Sequence, residues 1–271
     1  MFATQCRILI SFLVLVSSFC AQAPREQYYP ANVNPEFELI DGKKAFFLNA
    51  PKPGTDHPWV WFAPVVWSVF GQPPNGDILW MFKNLIDRGV SVGGIDVGES
   101  YGSPKGSAAY YLFYERVVQT RKWSKKPCLL AQSRGGLMLY NWAIRHPSGV
   151  GCIAGIYPVV NLNSWPPSDK RAEVETQYDH MSFVKLVADF NPVDHLRPLA
   201  AAHVPLFNIH GYDDQNVPYS LNSELLTNEY KTLGGQADLI TLHGQKHGHV
   251  RGDPLFFESA EMLSFLVKYA Q

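Results

Sequence analysis

No basic stripe runs along this chain. Its 23 Lys and Arg are offset by 24 Asp and Glu, leaving a formal net charge of -1. That balance lacks the electrostatic footprint of a nucleic-acid binder, so no nucleic-acid partner is expected. Glycine-rich phosphate loops of the Walker or dinucleotide kind are also missing, and Gly93-Gly94 does not make one. Charged residues are only 17% of the chain against 46% hydrophobic, which excludes a disordered polyampholyte and fits one well-buried globular unit. Long apolar runs occur in a single place. After Arg7 comes "ILISFLVLVSSFC", too short to span a bilayer comfortably and typical of an export signal. Residues 1–20 are therefore expected to be a signal peptide and 21–35 an extended leader, with Ala23 an alternative cleavage point. An uncleaved anchor is the rival reading. Cleavage implies a secreted or periplasmic protein with no stable membrane association.

Cysteine is scarce too, with four in 271 residues. Signal removal takes Cys6 and Cys20. Cys128 and Cys152 remain, each early in a predicted buried strand, and the two strands are expected to be neighbours. A bridge is open to them in an oxidising compartment. Neighbouring strands seldom offer the required Cβ geometry, so two core thiols are expected. A thiolate metal site needs more ligands than this pair supplies.

What is present is an alternation of short apolar runs and amphipathic stretches. "FELIDGKKAFFLNA" reads as a hairpin about Asp41-Gly42. "PWVWFAPVVW" follows as a strand apolar on both faces, as in a sheet covered on two sides. Helical spacing runs from Asp77 to Arg88, then "GVSVGGIDV" is a strand and "SAAYYLFYERVVQTRKW" a helix. A strand at Cys128–Ala131 leads to a helix after Gly135-Gly136, and "VGCIAGIYPVV" is the next strand. The polar, Pro-broken stretch 161–203 reads as a small cap insertion. "VPLFNIHG" is a strand, Tyr219 to Thr232 a helix, Asp238 to Leu242 a strand, and Pro254 to Tyr269 a closing helix. Such alternation implies right-handed crossovers and a mostly parallel sheet with helices on both faces, plus an antiparallel hairpin at the N-terminus. The domain is expected over 36–271.

Ligands of an open α/β sheet bind outside the carboxyl ends of its strands. Ser133 sits at such an end, inside "AQSRGG". A sharp strand-to-helix turn leaves little room beside the projected side chain, so small flanks are needed, and Ala131, Gly135 and Gly136 provide them. This is the nucleophile-elbow pattern G-x-S-x-G with Ala131 in the first glycine position. A serine hydroxyl needs a base, and the base needs a carboxylate to fix its tautomer. "FNIHGYDDQNVP" offers Asp213 and Asp214 after one strand, and "LITLHGQKHGH" offers His243, His247 and His249 after the next. The order Ser, Asp, His is that of α/β-hydrolases. A metal reading of His-x3-His-x-His lacks the nearby carboxylates or thiols it would need.

From about Pro58 to Tyr269 the chain resembles the α/β-hydrolases, particularly the group near dienelactone hydrolases and the catalytic domain of prolyl-oligopeptidase-like proteins. Members often carry H-G-x-x-D-x-x-V-P after the penultimate strand. His210-Gly211 and Val217-Pro218 then place the acid at Asp214. The last-strand motif G-x-x-H-G matches Gly244 to Gly248 and makes His247 the base. The resemblance implies an oxyanion hole from the backbone N–H of Arg134 and one from the loop after "WVWFA". Members often show His-Gly-Gly in that loop, whereas this chain has Ala63-Pro64-Val65-Val66. Pro64 has no N–H, so Val65 is the expected donor and Val66 the reserve.

Around these residues, Glu99, Tyr101 and Trp165 are candidates for substrate contact. The plain alternatives are a loop fixed by Gly98, Gly102 and Pro104, and a tryptophan that anchors the cap. Arg134 suits either a substrate carboxylate or a surface ion pair. His210 is expected to hold the turn before Gly211. No cofactor is required. The expected function is a secreted serine hydrolase working through an acyl-enzyme. A carboxylic ester, on a small molecule or an acylated carbohydrate, is preferred because the cap is short and no long propeller precedes the domain. A prolyl-oligopeptidase-like peptidase is the alternative, and a non-catalytic binding module on the same fold is the alternative of a different class.

Overall fold

The computed structural model describes residues 33–71, 76–248 and 256–270. The expected signal peptide and most of the leader, His249 and the start of the closing helix at Pro254 lie outside them. Eight strands form one sheet in the order β1-β2-β4-β3-β5-β6-β7-β8. The strands are β1 (Glu36–Ile40), β2 (Lys43–Leu48), β3 (Trp59–Ala63), β4 (Ser91–Ile95), β5 (Cys128–Gln132), β6 (Cys152–Ile156), β7 (Leu206–Gly211) and β8 (Ala237–Leu242). β2 pairs antiparallel with β1 and with β4, and every later pairing is parallel. The β1–β2 turn is Asp41-Gly42, with φ of 49° and 72°, the left-handed pair that a tight hairpin requires.

Alternate residues of the central strands feed two separate cores. On one face, Trp59 and Trp61 of β3 and Leu129 and Ala131 of β5 pack with α3 (Pro104–Arg116), α4 (Gly135–Arg145) and α8 (Ser223–Thr232). On the other, Val60, Phe62 and Leu130 pack with α2 (Leu79–Ile86) and α9 (Ala260–Tyr269). Burial on both sides is why these strands read as continuous apolar runs. A four-residue helix, α1 (Trp67–Phe70), occupies the loop after β3. α3 begins earlier than its aromatic spacing indicates, because Ser103 caps it by accepting from Gly106 N at 3.2 Å and Pro104 fills the first turn. It then widens into a π-helical turn, Val117–Arg121.

Within 161–203 lie α5 (Arg171–Gln177), α6 (Phe183–Phe190) and α7 (Arg197–Ala201). α5 and α6 share a small core of their own, in which Val174, Tyr178 and Leu186 meet Tyr101, Leu137 and Val217. Leu196 and Leu199 instead join the core of the sheet. The expectation of two free thiols is corrected. Cys128 and Cys152 are register partners at the start of β5 and β6, with Cα atoms 4.5 Å apart and their sulfurs bonded at 2.08 Å. In-register parallel partners project to the same face, so the sulfurs meet.

Candidate active site

Because β5 to β8 are consecutive and parallel, the loops that leave them crowd one rim of the sheet. Ser133 follows β5, Asp214 follows β7 and His247 follows β8. Ser133 has φ of 49°, a strained conformation for a residue with a Cβ. The turn is held by Ser133 N donating to Ile156 O at 3.0 Å and by Val159 N donating to Ser133 O at 2.8 Å. Ala131 is tolerated in the first glycine position because its register partners are small, Ala63 on one side and Gly155 on the other.

Ser133 Oγ lies 3.0 Å from His247 Nε2, and His247 Nδ1 lies 2.7 Å from Asp214 Oδ2. Asp214 is an acceptor, so His247 carries its proton on Nδ1 and leaves the Nε2 lone pair for the serine proton. The other oxygen, Asp214 Oδ1, accepts from Asn216 N at 2.9 Å and Val217 N at 2.8 Å. Burial pushes the Asp214 carboxyl up, but hydrogen bonds from His210, His247 and the Val217 N–H outweigh it and hold the group well below the usual carboxylate range. Asp213 points to solvent. His243 is exposed and packs on Tyr212 with ring centroids 4.9 Å apart, an edge residue.

Two neighbours were not legible in the sequence. Tyr157, after β6, places its ring 4.6 Å from that of His247 and accepts a hydrogen bond from Gln132 Nε2 at 3.0 Å. Its φ of 37° is the signature of a built position, visible only in three dimensions. Asp96, after β4, braces the loop that lacks glycines. Its Oδ2 accepts from Trp67 N at 3.0 Å, its Oδ1 accepts from Gly98 N at 2.7 Å, and its backbone bridges to Val65.

Val65 and Arg134 both line a cavity of about 520 Å³ that opens beside Ser133 and His247. Its walls are mainly apolar, from Phe62, Val66, Ile78, Phe82, Tyr157 and Phe257, with the Asp77 carboxylate among them. Glu99, Tyr101 and Trp165 do not line it. They gather around the Arg134 side chain, which ion-pairs with Glu99 and lies 5.4 Å over the Trp165 ring. Tyr101 packs on Trp165 at 5.7 Å and donates to Glu173 Oε1 at 2.8 Å, tying this group to α5 of the cap. Burial raises the Glu99 carboxyl, and Arg134 opposes that rise. Among the described residues no cluster of His, Cys, Asp and Glu could hold a metal ion, and no helix is long and apolar enough to cross a membrane.

The geometry is that of a serine made nucleophilic by a carboxylate-oriented imidazole. A family model described as the prolyl oligopeptidase family matches residues 123–271. Among curated proteins none matches the chain. Solved structures similar to it include a puromycin-hydrolyzing peptidase of Mycobacterium tuberculosis, with 16% identity and a TM-score of 0.68 over 92% of this chain and 42% of that one. An acylaminoacyl peptidase of Pyrococcus horikoshii aligns with 15% identity and a TM-score of 0.65, over 88% of this chain and 42% of that one. Dipeptidyl peptidase 4 of Porphyromonas gingivalis gives 15% and 0.65, over 88% and 36%. The chain thus spans less than half the length of these structures, and at such identities they attest the fold.

Proposed function

The chain belongs to the prolyl oligopeptidase family, and on that premise we propose that this serine hydrolase is a peptidase. In this reading it cleaves short peptides on the carboxyl side of a large apolar residue. The observation that carries it is the continuous relay from Ser133 through His247 to Asp214, at 3.0 Å and 2.7 Å, within the family-matched segment. His247 takes the Ser133 proton as Oγ attacks the carbonyl, and Asp214 stabilises the imidazolium that forms. The N–H groups of Arg134 and Val65 receive the oxyanion, a contact whose loss typically costs ~3 kcal/mol. His247 then protonates the leaving amine, and water releases the acyl-enzyme by the same steps in reverse.

The apolar cavity beside Ser133 supports a large apolar side chain on the acyl side of the bond. The ester of an acylated carbohydrate, the bond preferred from sequence, gives way to the amide because of the family match. An intact relay leaves a purely binding role without support. A site outside the cytoplasm is supported by the apolar N-terminal run and by the Cys128–Cys152 bridge.

A panel of peptidyl p-nitroanilides, run beside p-nitrophenyl, feruloyl and glucuronoyl esters, tests the reading. Amide cleavage should occur and should favour Phe, Leu or Met over Ala next to the scissile bond. Turnover of esters with no amide cleavage at all would overturn it.

A further inference from the structure

His210 is the penultimate residue of β7, just before Gly211, and is fully buried. Its Nε2 lies 3.2 Å from Asp214 Oδ2 and 2.9 Å from the carbonyl oxygen of Val217. A carboxylate and a carbonyl only accept, so Nε2 carries the proton and shares it between them. Nδ1 lies 2.7 Å from Ser223 Oγ, at the start of α8, and in the neutral ring it accepts the Ser223 hydroxyl proton. Asp214 Oδ2 therefore stands between two imidazoles, that of His247 on the catalytic side and that of His210 on the interior side.

We infer that His210 is a positioning residue of the catalytic relay, acting through Asp214 rather than on substrate. The inference rests on the serine-hydrolase relay and not on which bond that relay cleaves. A hydrogen bond to a carboxylate both aims it and draws charge from it. With Oδ1 pinned by two backbone N–H groups, the Nε2–H of His210 fixes the remaining oxygen in the plane that His247 needs. It also takes part of the negative charge that would otherwise act on the His247 cation. Removing that donor leaves Asp214 more basic and its hold on protonated His247 stronger, so His247 gives up its proton at higher pH. The other polar or titratable groups packed here are Tyr219, edge-on to His210 at 5.8 Å, Thr241, whose Oγ1 lies 2.9 Å from the Tyr219 hydroxyl, Tyr157 against His247, and Asp77, which lines the same cavity as His247 and is unchanged between wild type and the variants compared below.

The test is the rate at which a fluorophosphonate labels Ser133 as a function of pH, which requires no assumption about substrate. His210→Phe should lower the plateau by about tenfold to a hundredfold, the worth of one hydrogen bond to a charged group, and should move the midpoint to higher pH. His210→Gln, which can present an N–H near the Nε2 position, should bring the midpoint back to the wild-type value. A residue that merely held the turn would reduce the fraction of sites that label and leave the midpoint where it was; that result overturns the inference. Side-chain ¹⁵N NMR of the wild-type protein decides the matter without any variant. His210 should stay neutral and protonated on Nε2 while His247 titrates, and a proton on Nδ1 or a titrating His210 would equally overturn it. Failure of the p-nitroanilide panel would remove the peptidase reading and leave this labelling result standing.

Discussion

A Cβ placed on Gly135 would stand 2.2 Å from the carbonyl oxygen of Ala63, at the end of the neighbouring strand β3. No L side chain fits there, and the obstacle is backbone, which cannot swing aside. Gly135→Ala should therefore push α4 and the Ser133 turn away from β3. Misplacement of a nucleophile by about 1 Å can cost on the order of 100-fold in rate. The kcat/KM of a folded Gly135→Ala variant, with folding checked by circular dichroism, should fall by at least that much. Near-wild-type activity would show that the elbow is looser than this contact implies. Gly136→Ala meets Val159 O at 2.3 Å and should behave alike.

Asp214 and Asp213 are adjacent in sequence, yet one is buried with four hydrogen-bond donors and the other faces solvent. Asp214→Asn should lower kcat by about 10³- to 10⁴-fold, because an amide can favour the wrong tautomer of His247. Asp213→Asn should change it by less than about twofold, as an exposed substitution away from the relay. Comparable losses in the two variants would reassign the acid.

The depressed Asp214 carboxyl makes a prediction for pH. Asp214 stays ionised through the range in which His247 titrates, so the acid limb of kcat/KM should report one proton. His247 must be neutral to accept from Ser133, so activity should rise with pH to a plateau. A limb that falls with the square of proton concentration would mean that Asp214 also titrates there. The same group affects stability. Its folded pKa lies below its unfolded value of about 3.9, so its contribution is present above that pH and is lost as pH falls toward the folded value. Acid unfolding of Asp214→Asn should lack that part of the transition.

The bridge between Cys128 and Cys152 closes a segment of 24 residues that carries the elbow and α4. Removing such a constraint costs about 3 kcal/mol. Denaturant unfolding of the Cys128→Ala/Cys152→Ala variant should show a loss of that size or more, since both side chains are buried. Alkylation of Cys128 and Cys152 by iodoacetamide in unfolded, unreduced wild-type protein, located by peptide mapping, would show that the bridge is not formed.

Much of this architecture is legible along the chain because its signals are local. The apolar runs of β3, β5 and β6 announce strands buried on both faces, Asp41-Gly42 announces the hairpin, and the residues of the relay each follow a strand within a recognisable turn. What is not legible depends on register and on approach across the fold. Whether Cys128 reaches Cys152 is decided by one residue of strand alignment. That Asp96 braces the loop carrying Val65 follows from the return of β4 beside β3. The placement of Tyr157 against His247 needs β6 to lie between the strands that carry Ser133 and Asp214. Glu99, Tyr101 and Trp165 are drawn to Arg134 and the cap, while the cavity beside Ser133 takes its walls from α2 and from Phe257. No sequence spacing links those segments to the serine.

The central claim is that His247, brought 3.0 Å from Ser133 over 114 residues of chain, makes that one hydroxyl reactive. The most direct measurement is fluorophosphonate labelling followed by peptide mapping, with rates compared in wild type, Ser133→Ala and His247→Ala. The account predicts one adduct, on Ser133, none in Ser133→Ala, and labelling slowed by at least about 100-fold in His247→Ala. An adduct on another residue, or undiminished labelling of Ser133 without the imidazole, would contradict it.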